Sequence, residues 1–168
     1  MPDNTLYVID TSSAIDFNRH YNHPVFKSLN DDFNRLIRHG RLIAPYQVLA
    51  EIELQDDLCA QWAHSHERRL FRFDYSDFTM QKLAEIMSNF PGLVNVESEK
   101  DQADPYLIAL ALEARDGSQE RFVEYDNVCV LTQERLHGNR VKIPFVCQSY
   151  GLLCCSLLQM FTQEGWEY

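Results

Sequence analysis

Apolar residues recur in this chain with two rhythms. Short runs stand at Tyr7-Val8-Ile9, Leu42-Ile43-Ala44 and Val128-Cys129-Val130-Leu131. Elsewhere the apolar positions return every three to four residues. The first pattern predicts buried strands and the second amphipathic helices. The first strand breaks at once into Asp10-Thr11-Ser12-Ser13, a helix-start signal, so one or two helical turns are expected over 13–19. Across 24–39, Val25, Phe26, Leu29, Phe33, Leu36 and Ile37 share one helical face, and Gly40 is a suitable stop. The second strand, 42–44, is closed by Pro45. Residues 46–66 then read as one helix, with Val48, Leu49, Ile52, Leu58 and Trp62 on its apolar side.

The second half continues the alternation. Residues 70–73 are a further candidate strand. Residues 76–90 form a helix carrying Phe78, Met80, Leu83, Ile86 and Met87, ended by Pro91-Gly92. The polar, acidic stretch 93–103 reads as a loop. Asp104 as cap and Pro105 as first helical residue open a strongly apolar helix reaching Ala114. A turn at 116–118 precedes the strand 127–131, which Thr132-Gln133-Glu134 closes. Lys142-Ile143-Pro144 leads into a short helix ending near Gly151. A last strand, 152–155, and a last helix, 156–163, complete the chain. Strands alternating with helices indicate an α/β fold: three layers, with a mostly parallel central sheet flanked by helices. No internal repeat, linker or low-complexity tract interrupts the 168 residues, so one domain spanning 1–168 is expected.

Composition narrows the function. Hydrophobic residues make up 45% and charged residues 24%, as in ordinary globular domains. No apolar run approaches the ~20 residues of a membrane span. The start, Met1-Pro2-Asp3-Asn4, lacks the basic and apolar pattern of a signal peptide, so a cytoplasmic protein with no membrane partner is expected. The five cysteines, Cys59, Cys129, Cys147, Cys154 and Cys155, are odd in number and irregularly spaced. They read as core thiols rather than a disulfide framework or zinc site. A net charge of -10 argues against broad, non-specific adhesion to nucleic acid, yet leaves room for an enzyme that reaches phosphate through metal ions, or for a basic partner.

Candidate chemistry lies in four acids. Asp10 follows the first strand, Glu51 sits one to two turns into the helix after the second, Asp104 opens the apolar helix, and Glu134 follows the strand 127–131. Each alone has a plain explanation: a cap, a first-turn charge, a cap, an exposed turn. In a parallel sheet, however, the carboxyl ends of the strands face one side, so the four can meet in one cleft. Two carboxylates about 4 Å apart repel by roughly 4 kcal/mol at an effective dielectric near 20. Four together call for a counter-charge, and hard divalent cations with oxygen ligands are the natural one. Other candidates are weaker. Asp101 and Asp16 read as solvated acids, and the pairs His20/His23 and His64/His66 read as accidental spacings. Arg68-Arg69 could touch RNA phosphate but reads as a surface pair without a substrate role. Ser12 and Ser13 lack a nucleophile elbow, and no phosphate-binding glycine loop is present.

Together these stretches resemble the PIN domain (PilT N-terminus) nucleases. The likeness rests on Val8-Ile9-Asp10-Thr11-Ser12-Ser13 and on 43–51, ending in Glu51. It rests also on Ala103-Asp104-Pro105-Tyr106 with the Ala-rich helix after it, and on Val130-Leu131-Thr132-Gln133-Glu134. The resemblance spans about residues 5–162. It implies a Mg²⁺- or Mn²⁺-dependent endoribonuclease, with VapC-like toxins of type II toxin–antitoxin pairs as the nearest type. By position it makes Asp10, Glu51, Asp104 and Glu134 catalytic metal ligands, with Ser12 and Thr132 as hydrogen-bonding supports. It further implies an RNA substrate, a small antitoxin partner and a homodimer. Glu134 stands where Asp is commoner, and Pro105 departs from the usual third motif. The alternative reading is a PIN-like protein-binding module with weakened catalysis.

Overall fold

The computed structural model describes residues 4–95, 102–117, 125–136, 138 and 141–168. Five strands, β1 (Thr5–Ile9), β2 (Leu42–Pro45), β3 (Phe71–Arg72), β4 (Asn127–Leu131) and β5 (Leu153–Cys155), form one sheet in the order β3-β2-β1-β4-β5. Every pairing is parallel. The helices are α1 (Thr11–His20), α2 (Lys27–Arg38), α3 (Tyr46–Gln55), α4 (Asp57–Ser65), α5 (Glu67–Leu70), α6 (Asp77–Asn89), α7 (Ala103–Asp116), α8 (Ile143–Tyr150) and α9 (Leu157–Gln163).

Strand alternation explains the layers. Successive side chains of a strand point to opposite faces. Tyr7 and Ile9 therefore pack with Phe17, Phe33, Ile37, Ile52 and Phe161 on one side. Leu6 and Val8 pack with Ile86, Leu107, Ile108, Ile143 and Val146 on the other. Phe17 and Phe33 stack with ring centroids 3.8 Å apart, joining α1 to α2. With both faces covered, each strand can be apolar throughout, as all-parallel sheets require. The expected α/β class, with a parallel sheet between helical layers, is what the fold has.

Several boundaries depart from expectation. The predicted helix over 24–39 opens as a 3₁₀ turn, Pro24–Phe26, which leaves Val25 and Phe26 exposed. The α-helix begins at Lys27 and gives way at Gly40, whose φ of 72° suits glycine. The helix expected over 46–66 is broken. Asp56 turns extended and accepts a hydrogen bond from the Cys59 N–H, capping a new helix. That restart resets the helical phase, so Leu58 faces solvent, 75% exposed, while Trp62 still packs near Phe17. Only Phe71 and Arg72 of the expected strand 70–73 pair with β2. On α6, Met80 and Met87 are exposed and the buried stripe is narrower than predicted. The apolar helix of the second half is capped by Gln102 rather than Asp104, placing Pro105 third in the helix. A proline is tolerated there because first-turn N–H groups have no intrahelical partner. Four of the five cysteines are buried and Cys154 is partly so; all are free. Among the described residues no helix is long and apolar enough to cross a membrane.

Candidate functional site

β1 and β4 lie side by side at the middle of the sheet, with Ile9 opposite Leu131. The chain leaves β1 into α1 on one face. It leaves β4 toward α8 on the other. Adjacent strands whose connections depart to opposite faces leave a crevice at their carboxyl ends, where α/β sheets place ligands. Asp10 and Thr132 are the first residues past β1 and β4, so both stand at that crevice.

Asp10 is 3% exposed and does two things. Its Oδ1 accepts from the Ser13 N–H at 2.7 Å, capping α1, and its Oδ2 accepts from the Ser12 hydroxyl at 2.8 Å. The cap is therefore Asp10 itself, not Thr11 or Ser12. Burial pushes the Asp10 carboxyl up to about 6, against opposing hydrogen bonds from Thr132, Ser13 and Ser12. Ser12 Oγ also accepts from the Gln133 N–H at 3.3 Å, and Thr132 Oγ1 accepts from the Glu134 N–H at 3.1 Å. Both expected supports thus bridge the two strand ends.

Glu51 reaches the same place from α3. Its Oε2 accepts from the Thr11 hydroxyl at 2.9 Å and its Oε1 from the Ala103 N–H at 2.7 Å. The second bond supplies what Gln102 does not: no side chain of its own segment caps α7. Asp104, second in α7, is thereby free of a capping role. Glu134 accepts from the Ile143 N–H at 3.1 Å, at the start of α8.

The four acids act on one another. Burial first, then the negative charges of Glu134, Asp10 and Glu51, push the Asp104 carboxyl up to about 8; Lys142 pulls the other way. The structure thus brings together all four acids that the sequence singled out. Their donor chemistry, oxygen only and strongly anionic, fits a hard divalent cation. As placed, however, no three His, Cys, Asp or Glu side chains among the described residues stand where they could hold a metal ion. The bonds to Thr11, Ala103 and Ile143 fix Glu51 and Glu134 on the walls of the crevice. Closing the set round an ion requires these side chains to shift.

The other candidates separate from the site in different ways. Asp16 is not a freely solvated acid: the Gln133 amide donates to it at 2.7 Å, and His20 lies 3.2 Å away. His23 caps the 3₁₀ turn and His64 pairs with Glu53. Asp101 lies outside the described residues. Sequence reasoning missed Thr11 and Gln133. Gln133 also accepts from the Leu157 N–H at 3.1 Å, so one amide ties α1, the end of β4 and α9. A depression of about 740 Å³ opens beside this clamp, lined in part by Asp16, Thr132, Glu134, Leu153 and Gln159.

No protein with a curated description matches the chain. Residues 7–168 match a family described as a domain of unknown function (DUF4411), and the chain belongs to that family.

Proposed function

We propose that the chain is a Mg²⁺- or Mn²⁺-dependent ribonuclease that hydrolyses RNA phosphodiester bonds. The observation that carries this reading is the gathering of Asp10, Glu51 and Glu134 around a half-buried Asp104 at the carboxyl ends of the strands. Such a cluster is stabilised least by itself and most by a divalent cation. Asp10, Glu51, Asp104 and Glu134 would hold that cation. Bound there, it would supply water activation and charge stabilisation at a phosphodiester. The chain's own residues do the positioning. Ser12, Ser13 and Thr132 orient Asp10, Thr11 orients Glu51, and the Ile143 N–H orients Glu134. Lys142 offsets part of the negative field against which a phosphate must enter.

A toxin role, with a small antitoxin and a homodimer, follows from the resemblance to VapC-like proteins alone. A second reading, a protein-binding module with weakened catalysis, is favoured by the absence of a ready ion cage among the described residues. One experiment separates the two. Purified protein is incubated with single-stranded RNA and Mn²⁺, with Mg²⁺, or with chelator. The nuclease reading expects cleavage only with metal, and a loss of at least about 10³-fold in Asp10→Asn, an effect of the size seen when a catalytic group is removed. Equal cleavage by wild type and Asp10→Asn, or none under any condition, overturns it.

A further inference from the structure

The cations of this acidic chain are distributed unevenly. Arg19, Lys27, Arg35, Arg41, Lys82 and Arg115 each lie within 4 Å of a carboxylate. Arg38, Arg68, Arg69, Arg72, Arg135 and Lys142 have no such partner among the described residues, and the first four gather at one corner. The Arg69 guanidinium donates to the Arg38 carbonyl at 3.3 Å, and that of Arg72 to the Arg69 carbonyl at 3.1 Å. Arg38, Arg68 and Arg69 border a depression of about 500 Å³ with His66. Its one acid, Glu67, sits 3.9 Å from His64.

This corner leads along the edge strand β3. Parallel register sets Arg72 beside Pro45, and so Phe73 beside Tyr46. The two rings meet with centroids 5.3 Å apart while remaining 49% and 41% exposed. They are fixed from beneath: the Tyr75 hydroxyl accepts from the Tyr46 N–H at 3.0 Å and donates to Gln47 at 2.6 Å. Tyr46 begins α3, and Glu51 follows five residues later, about 7.5 Å along the helix axis. The segment 68–75 alternates basic and aromatic residues with a single acid, Asp74.

An unpaired cationic corner running into exposed aromatic rings is the combination that binds single-stranded nucleic acid: cations follow the backbone and rings stack bases in any sequence. We propose that the β3 edge is the entry track for single-stranded RNA, with Arg38 and Arg68 holding phosphates and Phe73 and Tyr46 stacking a base before the strand reaches the acidic crevice. The assignment rests on the nuclease reading above for the track's destination, but its test does not need catalysis. Six of the described cations are neutralised locally, and Arg135 and Lys142 stand among the acids of the crevice, so in a chain of net charge -10 this edge is a cationic cluster that a polyanion can approach.

The test is fluorescence anisotropy of a labelled 12-nucleotide RNA with the metal-free protein in chelator, across a range of salt. Phe73→Ala is expected to weaken binding at least about five-fold, the lower bound for loss of one stacked base. Arg38→Ala combined with Arg68→Ala is expected to flatten the salt dependence by about 1.4, at about 0.7 per phosphate contact. Arg19→Ala, whose guanidinium is already paired with Asp56, is expected to bind like wild type. Phe73→Leu, which keeps the apolar bulk, serves if Phe73→Ala lowers the melting temperature. Unchanged affinity and slope in these variants overturn the proposal. So does competition by a polyglutamate peptide equal to that of unlabelled RNA, which would mark the edge as a surface for acidic protein. RNA that binds through this edge but is never cleaved leaves the track standing and removes the nuclease reading. Cleavage that is indifferent to Phe73, Arg38 and Arg68 does the reverse.

Discussion

The molecule buries carboxylates in two places and treats them in opposite ways. At the amino ends of the strands, Glu164 has a side chain only 4% exposed and meets the Arg41 guanidinium at 2.7 Å. The Tyr7 hydroxyl donates to Glu164 at 3.1 Å, and Arg41 also donates to the Thr5 carbonyl. Burial and the Glu164 charge push the Tyr7 phenol well above its ordinary range, so it stays a donor. At the carboxyl ends, Asp104 feels three further acids, against which Lys142 is a minor opposing charge. Compensation at the first site marks structure. Its omission at the second marks a place kept ready for a ligand, because structural sites rarely leave such repulsion standing.

Substitutions sharpen that contrast. Glu164→Ala takes the carboxylate from a half-buried guanidinium and from the Tyr7 hydroxyl and is expected to cost about 3 kcal/mol in urea unfolding. Replacing Glu164 and Arg41 together by Leu and Met is expected to restore most of this; failure to do so would mean that Glu164 acts through something other than the pair. Thr132→Val removes a hydroxyl shared by Asp10 and the Glu134 N–H and is expected to cost about 1–3 kcal/mol. Asp104→Asn is expected to act in the other direction on metal-free protein. An acid whose folded pKa is raised from 3.8 to about 8 loses stability as pH climbs through that window. The Asn variant should therefore melt at least about 3 °C higher than wild type at pH 8, roughly the effect of 1 kcal/mol in a chain of this size, and by less at pH 5. A gain independent of pH would break the comparison. Arg19→Ala, which cuts a surface pair with Asp56, is expected to change stability by less than about 1 kcal/mol.

The four acids were legible because each adjoins or lies within a run whose secondary structure apolar spacing makes plain, and a parallel sheet carries strand ends to one side. Asp10 and Glu134 needed nothing more than that. What spacing does not report is partnership across the chain. Glu51 caps a helix 52 residues later, and nothing local to Gln102 or Ala103 announces it. Gln133 reads as a turn residue until α1 and α9 are brought against it. The break at Asp56 did have a local signal, an Asp followed by an acidic first turn, but good helix formers on both sides concealed it. The cationic corner at β3 is invisible in net charge, since it emerges only once Arg38, Arg68, Arg69 and Arg72 are brought together and six other cations find their carboxylates.

Because Glu51 Oε1 holds the Ala103 N–H, the start of α7 depends on an oxygen that also faces the crevice. Any group that draws this oxygen away leaves the first turn of α7 without its cap. Occupancy of the crevice should then be readable as faster amide deuterium exchange at Ala103, with the inner turns of α7 unchanged. A backbone proton would report on the cleft before any product is formed.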